Sequence, residues 1–327
     1  MEKESHLTQA VHDDESNSSG AGRGWLRNLA PWLGALTIFV YLFWEVPFAE
    51  AWLAARNARL ELFVPEILGA AVFWFLLDSG ALAYLFTRFN TPVSWREARS
   101  IRGTTYLLTA LNWNVGTAAI VVHLRRSKGV PAIESAGSLF LYSNFDALIL
   151  VSLALLGASV FSESSALETV QRVAGIVLAV QLSIFLILTS SSPRWNWLER
   201  IRNSSLIRPY RRVKVVDGVF ILAVKLVYFM GFMWIFWAGS RAFGIELPFS
   251  VALASAPVVM LVAAIPVAPA GLGTQAAAML YFWSEYGEKA EIVAFGLVFP
   301  IALVIARCLL GLFYLRDLRS MRTSENE

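Results

Sequence analysis

The apolar sequence around residues 263–277 contains a break that a continuous membrane helix tolerates poorly. It reads Ala-Ala-Ile-Pro-Val-Ala-Pro-Ala-Gly-Leu-Gly-Thr-Gln-Ala-Ala, with two prolines and two glycines within eight residues. Proline removes a backbone donor, and glycine costs about 1 kcal/mol in a helix interior. In a bilayer, broken backbone persists only where protein or a water-filled cavity satisfies the freed groups. The segment predicts a re-entrant hairpin that lines a polar path, with a kinked spanning helix as the alternative.

The remaining chain has the composition of a polytopic membrane protein, because 57% of its residues are hydrophobic and only 16% are charged. Several apolar segments reach the length of about 20 residues that a spanning helix needs. The apolar segments are 29–48, 61–86, 104–124, 133–160, 170–192, 216–240, 249–283 and 292–315. We therefore expect an all-α integral membrane protein with one membrane domain over 29–315. Polar tails cover 1–28, which we expect to be disordered and cytoplasmic, and 316–327.

Basic residues decide the expected topology, because Lys and Arg are enriched in cytoplasmic loops. The connection 193–214 carries seven basic residues against one acid, so we place it in the cytoplasm. The loops on both sides of 104–124 are also basic. This segment then enters and leaves from the cytoplasm as a hairpin, with the polar sequence 112–117 at its tip. By the same reasoning, 249–283 forms a second hairpin that enters from the outer side.

The expected architecture is therefore six spans and two re-entrant hairpins, with both termini in the cytoplasm. The order span, hairpin, span occurs in 61–160 and again in 216–315 with opposite orientation. This order is typical of an inverted repeat, in which the substrate site forms between the two halves.

Four ionisable residues lie inside predicted spans: Asp78, Asp146, Lys225 and Arg307. Each costs a few kcal/mol or more there, so each marks a candidate functional position. The acids lie in the first half and the bases in the second. We expect Asp146 to pair with a base near the midplane, with Arg307 as first choice and Lys225 as second. Alternatively, Arg307 snorkels to the cytoplasmic surface, or the charges form purely structural ion pairs.

The predicted substrate path combines these charges with the polar and broken parts of the two hairpins. Lys225 and Arg307, together with the N-terminal ends of half-helices, would attract an anion such as a lipid phosphate. The candidate path residues are Asn112, Asn114, Gly116, Asp146, Lys225, Pro266, Pro269, Gly271, Gly273, Gln275 and Arg307.

Several kinds of soluble chemistry are excluded by the sequence. It contains no phosphate-binding Gly-x-x-x-x-Gly-Lys-Ser/Thr loop, so no ATP drive is encoded. Cys308 is the single cysteine, and His123 is the single histidine outside the N-terminal tail. We expect no cofactor, no metal and no nucleic-acid partner. The basic loop 193–214 either binds anionic headgroups or simply sets the topology.

The run 265–274, Ile-Pro-Val-Ala-Pro-Ala-Gly-Leu-Gly-Thr, resembles the Pro…Gly-Gly-Leu-Gly signature of the flippase-like membrane region of lysylphosphatidylglycerol synthases. In the first half, Asn112, Gly116, the run 128–130 (Lys-Gly-Val) and Asp146 are similar to the family's Asn…Gly…Gly-Val…Asp order. The family usually has an Arg-Glu pair where this chain has Gln275-Ala276, and its first hairpin commonly carries Pro, Arg and Glu around the glycine. The resemblance implies a stand-alone flippase-like protein of a bacterial inner membrane. No aminoacyl-transferase domain follows residue 315, so we expect no synthase activity.

We expect the protein to move an anionic or glycosylated lipid between leaflets. One alternative is an intramembrane lipid-modifying enzyme that uses Asp78 or Glu246. The other is a non-transporting partner of a lipid-synthesis enzyme, an alternative that the missing Arg-Glu pair strengthens.

Overall fold

The computed structural model describes residues 36–111, 113–160, 165–189, 203–264 and 273–315, and all regular structure within these ranges is helical. This confirms the all-α prediction. The helices are α1 Leu36–Glu45, α2 Phe48–Asn57, α3 Leu60–Phe89, α4 Trp95–Leu111, α5 Trp113–Lys128, α6 Ala132–Val160, α7 Ser165–Thr189, α8 Arg208–Arg212, α9 Val215–Arg241, α10 Phe249–Ala264, α11 Thr274–Trp283 and α12 Lys289–Phe313.

Five of the described helices, α3, α6, α7, α9 and α12, are long and apolar enough to cross a membrane. Each exceeds the length needed for a hydrocarbon core of about 30 Å. The protein is therefore an integral membrane protein. A sixth span is present only if the bent pair α1 and α2 is counted as one.

The first predicted anchor, over 29–48, is not a single straight helix in the described part of the chain. Helix α1 ends at Glu45, and α2 continues at an angle of 79° to it. The cause is Pro47, which caps α2 and can neither donate a backbone hydrogen bond nor continue the preceding turn. Helix α2 then packs against α12, so this region forms an elbow.

Each segment that the sequence predicts as a hairpin folds as two helices in contact with each other. Helices α4 and α5 pack together around the break at Asn112, which lies outside the described residues. This unit covers 95–128 and is longer than the predicted 104–124. A Cβ at Gly116 would overlap the Thr109 side chain, so the glycine allows the two arms to approach closely. Helices α10 and α11 also contact each other, on the two sides of residues 265–272, which are not described.

The helix contacts of the first half, α3 to α6, correspond to those of the second half, α9 to α12. The first hairpin helix of each half packs on the last helix of the other half: α4 packs on α12, and α10 packs on α6. The last helix of each half also contacts the first helix of the other half: α6 contacts α9, and α12 contacts α3. Glycine permits both hairpin contacts. A Cβ at Gly157 of α6 would overlap the backbone of Ala254, and one at Gly311 of α12 would lie 2.8 Å from the Leu107 side chain. These contacts agree with a repeat, whereas its inverted orientation in the membrane and the re-entrant character of the hairpins stay predictions.

Helix α5 ends in a turn that explains the Lys-Gly-Val sequence at 128–130. Gly129 has φ 66°, a left-handed conformation that glycine adopts without strain. Its backbone N–H donates to the carbonyl of Arg125, and that of Val130 donates to the carbonyl of Leu124. This pattern satisfies the last carbonyls of a helix, and Pro131 then prevents its continuation. The turn therefore directs the chain into α6.

Ion pairs gather the ends of α3, α4, α5, α6, α8 and α9 at one end of the helical body. The pairs Lys128–Glu97 and Arg88–Asp217 both measure 2.8 Å, and Arg208 contacts Glu134. At the opposite end Lys289 pairs with Glu45, and the backbone N–H of Glu246 donates to the carbonyl of Tyr286. Residues 125–128 and the described part of the connection, 203–214, therefore lie at the same end.

Cysteine labelling tests which side of the membrane this end faces. In a Cys308→Ser background, Ser127→Cys and Asn203→Cys should be protected from impermeant thiol reagents in intact cells, because both lie in basic loops. Ser284→Cys, an exposed position at the opposite end, should be labelled. Labelling of Ser127→Cys without Asn203→Cys would contradict both the common end and the predicted orientation.

A charged cavity between the two halves

A cavity of about 440 Å³ lies between helices of both halves. Its wall is formed by α3, α4, α5 and α6 of the first half and by α9, α10 and α12 of the second. Leucine, isoleucine and phenylalanine side chains make much of this wall. The ionisable side chains other than tyrosine that line it are Asp78, Arg102, Asp146, Lys225 and Arg307. Four of these are the residues that the sequence placed inside spans.

Asp146 and Lys225 form an ion pair across the two halves, with Oδ1 and Nζ 2.5 Å apart. Asp146 lies about 14 residues into α6 and Lys225 about 10 residues into α9, depths of ~21 Å and ~15 Å from the same end of the body. Both depths fall in the middle part of a core of about 30 Å. The predicted pairing across the halves is therefore formed, but with the second-choice base. The first choice, Arg307, was wrong.

Asp78 of α3 pairs with Arg102 of α4, and Oδ2 and Nη2 are 2.6 Å apart. The basic sequence before 104–124, which includes Arg102, was predicted to be a cytoplasmic loop, and the structure corrects this prediction. Because α4 already begins at Trp95, Arg102 lies two helical turns inside it and reaches the cavity. The pair is nearly buried, with side-chain exposures of 12% for Arg102 and 7% for Asp78.

Aromatic rings complete the surroundings of the bases. Lys225 Nζ lies 3.3 Å from the ring centre of Tyr142 and 5.6 Å from that of Tyr228, distances at which a cation and a π face attract each other. The guanidinium of Arg307 lies 5.7 Å from the ring centre of Tyr106. Arg307 forms no ion pair with any residue in the described part of the chain, and its Nε atom is buried without a hydrogen-bond partner there. Its side chain lines the cavity, and snorkelling to the cytoplasmic surface stays a prediction.

Several predicted path residues lie outside the cavity wall. Gly273 has φ 87° and ψ −44°, a combination that strains any residue with a Cβ. A Cβ there would also lie 3.0 Å from Ile38 of α1. Gln275 has a buried Nε2 atom without a hydrogen-bond partner among the described residues, but it does not line the cavity. Gly116 does not line the cavity either, and its missing Cβ lets α4 and α5 pack closely.

The remaining predicted path residues cannot be located. Asn112, Pro266, Pro269 and Gly271 lie outside the described residues, and so does the side chain of Asn114. Ala264, the last described residue before the Pro/Gly break, belongs to the cavity wall.

Sequence reasoning missed Arg102, Tyr142 and Tyr228. A signal for Arg102 was present, because the buried Asp78 requires a base and Arg102 directly precedes the apolar part of the first hairpin. The tyrosines carried no signal, since aromatic residues are common throughout the spans. Glu66 was also not counted. It lies about six residues into α3, and its Oε2 atom is buried without a hydrogen-bond partner among the described residues.

The fold and the cavity define a helical integral membrane protein with a charged site between its two halves. Comparison with protein families gives a match to the lysylphosphatidylglycerol synthase TM region over residues 30–311. The chain therefore belongs to this family, as the sequence resemblance indicated. No curated protein and no solved structure matches it.

The ion pair between the halves can be tested by a double-mutant cycle on thermal stability in detergent. Asp146→Asn leaves Lys225 charged and buried, so it should lower the free energy of unfolding by about 3 kcal/mol. This value is at the lower end of the range for breaking a buried ion pair, because Asp146 is partly exposed. Lys225→Met in the same chain should restore most of this loss. In a second cycle, the stability losses of Asp146→Asn and Arg307→Gln should simply add. If the losses are non-additive in this cycle and additive in the cycle with Lys225→Met, Arg307 is the partner of Asp146.

Proposed function

We propose that the protein moves an anionic lipid between the two leaflets, with the headgroup passing through the charged cavity. The observation that carries this proposal is the charge of the cavity. Its described lining contains three bases and two acids, and both acids are paired, so among these residues one positive charge remains at Arg307. A lipid phosphate would supply the missing partner through charge-assisted hydrogen bonds.

The cavity would lower the main barrier to lipid movement. Carrying a charged headgroup through hydrocarbon is expensive because the group loses its water without compensation. A polar lining at the middle of the membrane replaces part of that hydration, while the acyl chains remain in lipid. The Pro/Gly break supports the same function, because Ala264, the last described residue before it, lines the cavity, and two prolines and two glycines predict the broken backbone that lines substrate sites in transporters. A glycosylated headgroup would use the same acids and tyrosines, but it would leave Arg307 without a partner.

The arrangement gives less support to an intramembrane enzyme. Asp78 is engaged by Arg102, and Glu246 is exposed at the end of the body that carries Lys289 and Glu45. The two acids proposed for chemistry thus do not share a site. A non-transporting partner of a lipid-synthesis enzyme would lack the activity tested below.

Reconstituted protein tests the proposal. Proteoliposomes with fluorescent phosphatidylglycerol should show lipid redistribution between leaflets without a new lipid species. Arg307→Gln should slow this about tenfold, because one charge-assisted hydrogen bond at the phosphate contributes on the order of 1.4 kcal/mol. Arg126→Gln, which removes an exposed arginine at a helix end, is the matched control and should retain the wild-type rate. A chemically modified lipid would indicate an enzyme instead, and equal rates for both variants would exclude Arg307 from the path.

The glycines of the break provide a second test at matched protein incorporation. Gly271→Ala combined with Gly273→Ala should leave a membrane-inserted protein that no longer translocates lipid. At Gly273 the reason is the positive φ, which costs a residue with a Cβ about 1–3 kcal/mol. Pro269→Ala should have a milder effect, since tertiary packing already holds the hairpin. Wild-type translocation by the double glycine variant would show that the break is not part of the path.

A further inference from the structure

We infer that the anionic headgroup enters the cavity together with one proton, which is taken up by the carboxylate of Asp146. This inference rests on the proposed function and adds the coupling ion to it. The step is a simple protonation. A proton from cavity water binds an Asp146 carboxylate oxygen as the lipid phosphate replaces that carboxylate beside Lys225, and the proton is released when the phosphate leaves.

The unequal exposure of the two partners supports this assignment. The side chain of Asp146 is 33% exposed to the cavity, whereas that of Lys225 is only 3% exposed. Water in the cavity can therefore reach the acid, while the base stays enclosed between Asp146 and the ring of Tyr142. A buried ammonium that loses its counter-ion is strongly destabilised, so Lys225 requires an anion at all times. The carboxylate and a phosphate can each fill that role.

The second ion pair in the cavity is less accessible to water than the first. Arg102 remains charged because its guanidinium does not deprotonate in proteins, and its Nη2 atom lies 2.6 Å from Oδ2 of Asp78. Both side chains of that pair are nearly buried. Asp78 is therefore a fixed part of the wall, and Asp146 is the more exposed acid of the two.

No further carboxylate surrounds Asp146 in the described part of the cavity. The described residues of α5, α7 and α10 that lie near it carry no ionisable side chain on the cavity wall. The titratable and charged groups around it are Asp78 on α3, Arg102 on α4, Tyr142 on α6, Lys225 and Tyr228 on α9, and Arg307 on α12.

Binding the phosphate and the proton together keeps the net charge of the cavity constant. The described lining carries one excess positive charge, which a phosphate with one negative charge would neutralise and which protonation of Asp146 would restore. Since like charges repel strongly in a low-dielectric interior, an anion beside the carboxylate of Asp146 favours uptake of a proton there, and the effect is reciprocal.

Lipid binding as a function of pH tests this inference without requiring translocation. The purified full chain in uncharged detergent is titrated with phosphatidylglycerol over a series of pH values, with phosphatidylcholine as the control lipid. Uptake of one proton should lower the affinity about tenfold for each unit by which the pH rises. In weakly buffered solution a pH-sensitive dye should report about one proton taken up per lipid bound.

Variants then assign the proton to Asp146. Asp146→Asn should bind phosphatidylglycerol with an affinity that no longer depends on pH and that exceeds the wild-type affinity at alkaline pH, because no carboxylate competes for Lys225. A misfolded variant would lose binding instead. Should Asp146→Asn be unstable, the double variant with Lys225→Met should fold and should also lack pH dependence. Glu97→Gln removes an acid from an ion pair outside the cavity and should keep the wild-type slope.

The outcomes separate the two proposals. Wild-type protein that binds phosphatidylglycerol with no proton uptake and no pH dependence overturns the coupling and leaves the proposed function intact. A wild-type slope retained in both Asp146 variants also overturns it, since the proton then binds elsewhere. Wild-type protein that neither binds nor moves phosphatidylglycerol fails the proposed function and the coupling together.

Discussion

The need to compensate buried charge organises this structure. A lone ammonium at the depth of Lys225 would be expelled from a bilayer, so its position is stable only with a partner such as Asp146. That partner lies on α6 of the first half, and the pair therefore joins the two halves. Asp78 and Arg102 impose a similar requirement on α3 and α4, and α4 in turn packs on α12. Charge compensation thus fixes which helices surround the cavity.

Much of the fold follows from lengths and charges in the sequence, but the choice of partners does not follow from residue type alone. The long apolar runs, the Pro/Gly break and four of the five cavity charges are visible in the chain. The depth of each charged residue along its helix would have identified the right pair. Arg307 lies about six residues from the end of α12, ~9 Å deep, whereas Asp146 lies ~21 Å deep and Lys225 ~15 Å. Arg102 was hidden because the hairpin was bounded by its apolar run, although α4 starts in polar sequence.

Glycine has two separate structural roles at the contacts of the predicted hairpins, and the sequence does not distinguish between them. At Gly157 and Gly311 the missing Cβ allows helices of opposite halves to approach closely. At Gly273 the backbone conformation itself excludes a Cβ, and the residue packs against Ile38 of the elbow that α1 forms with α2. The elbow was not predictable from hydropathy, because Pro47 lies at the end of an apolar run where a simple helix end fits equally well.

Under the proposed function, the two kinds of base in the cavity would have complementary effects on a passing anion. Arg307, with no carboxylate partner among the described residues, would attract a phosphate. Lys225 is already neutralised by Asp146, so a phosphate gains its attraction only by displacing that carboxylate. A cavity in which every base was free would bind the headgroup tightly and release it slowly. Transport instead requires a site that is favourable enough to be occupied and weak enough to be left. In the proposed transport, Arg307, which has no carboxylate partner among the described residues, and Lys225, which is compensated by Asp146, would together give such an intermediate affinity.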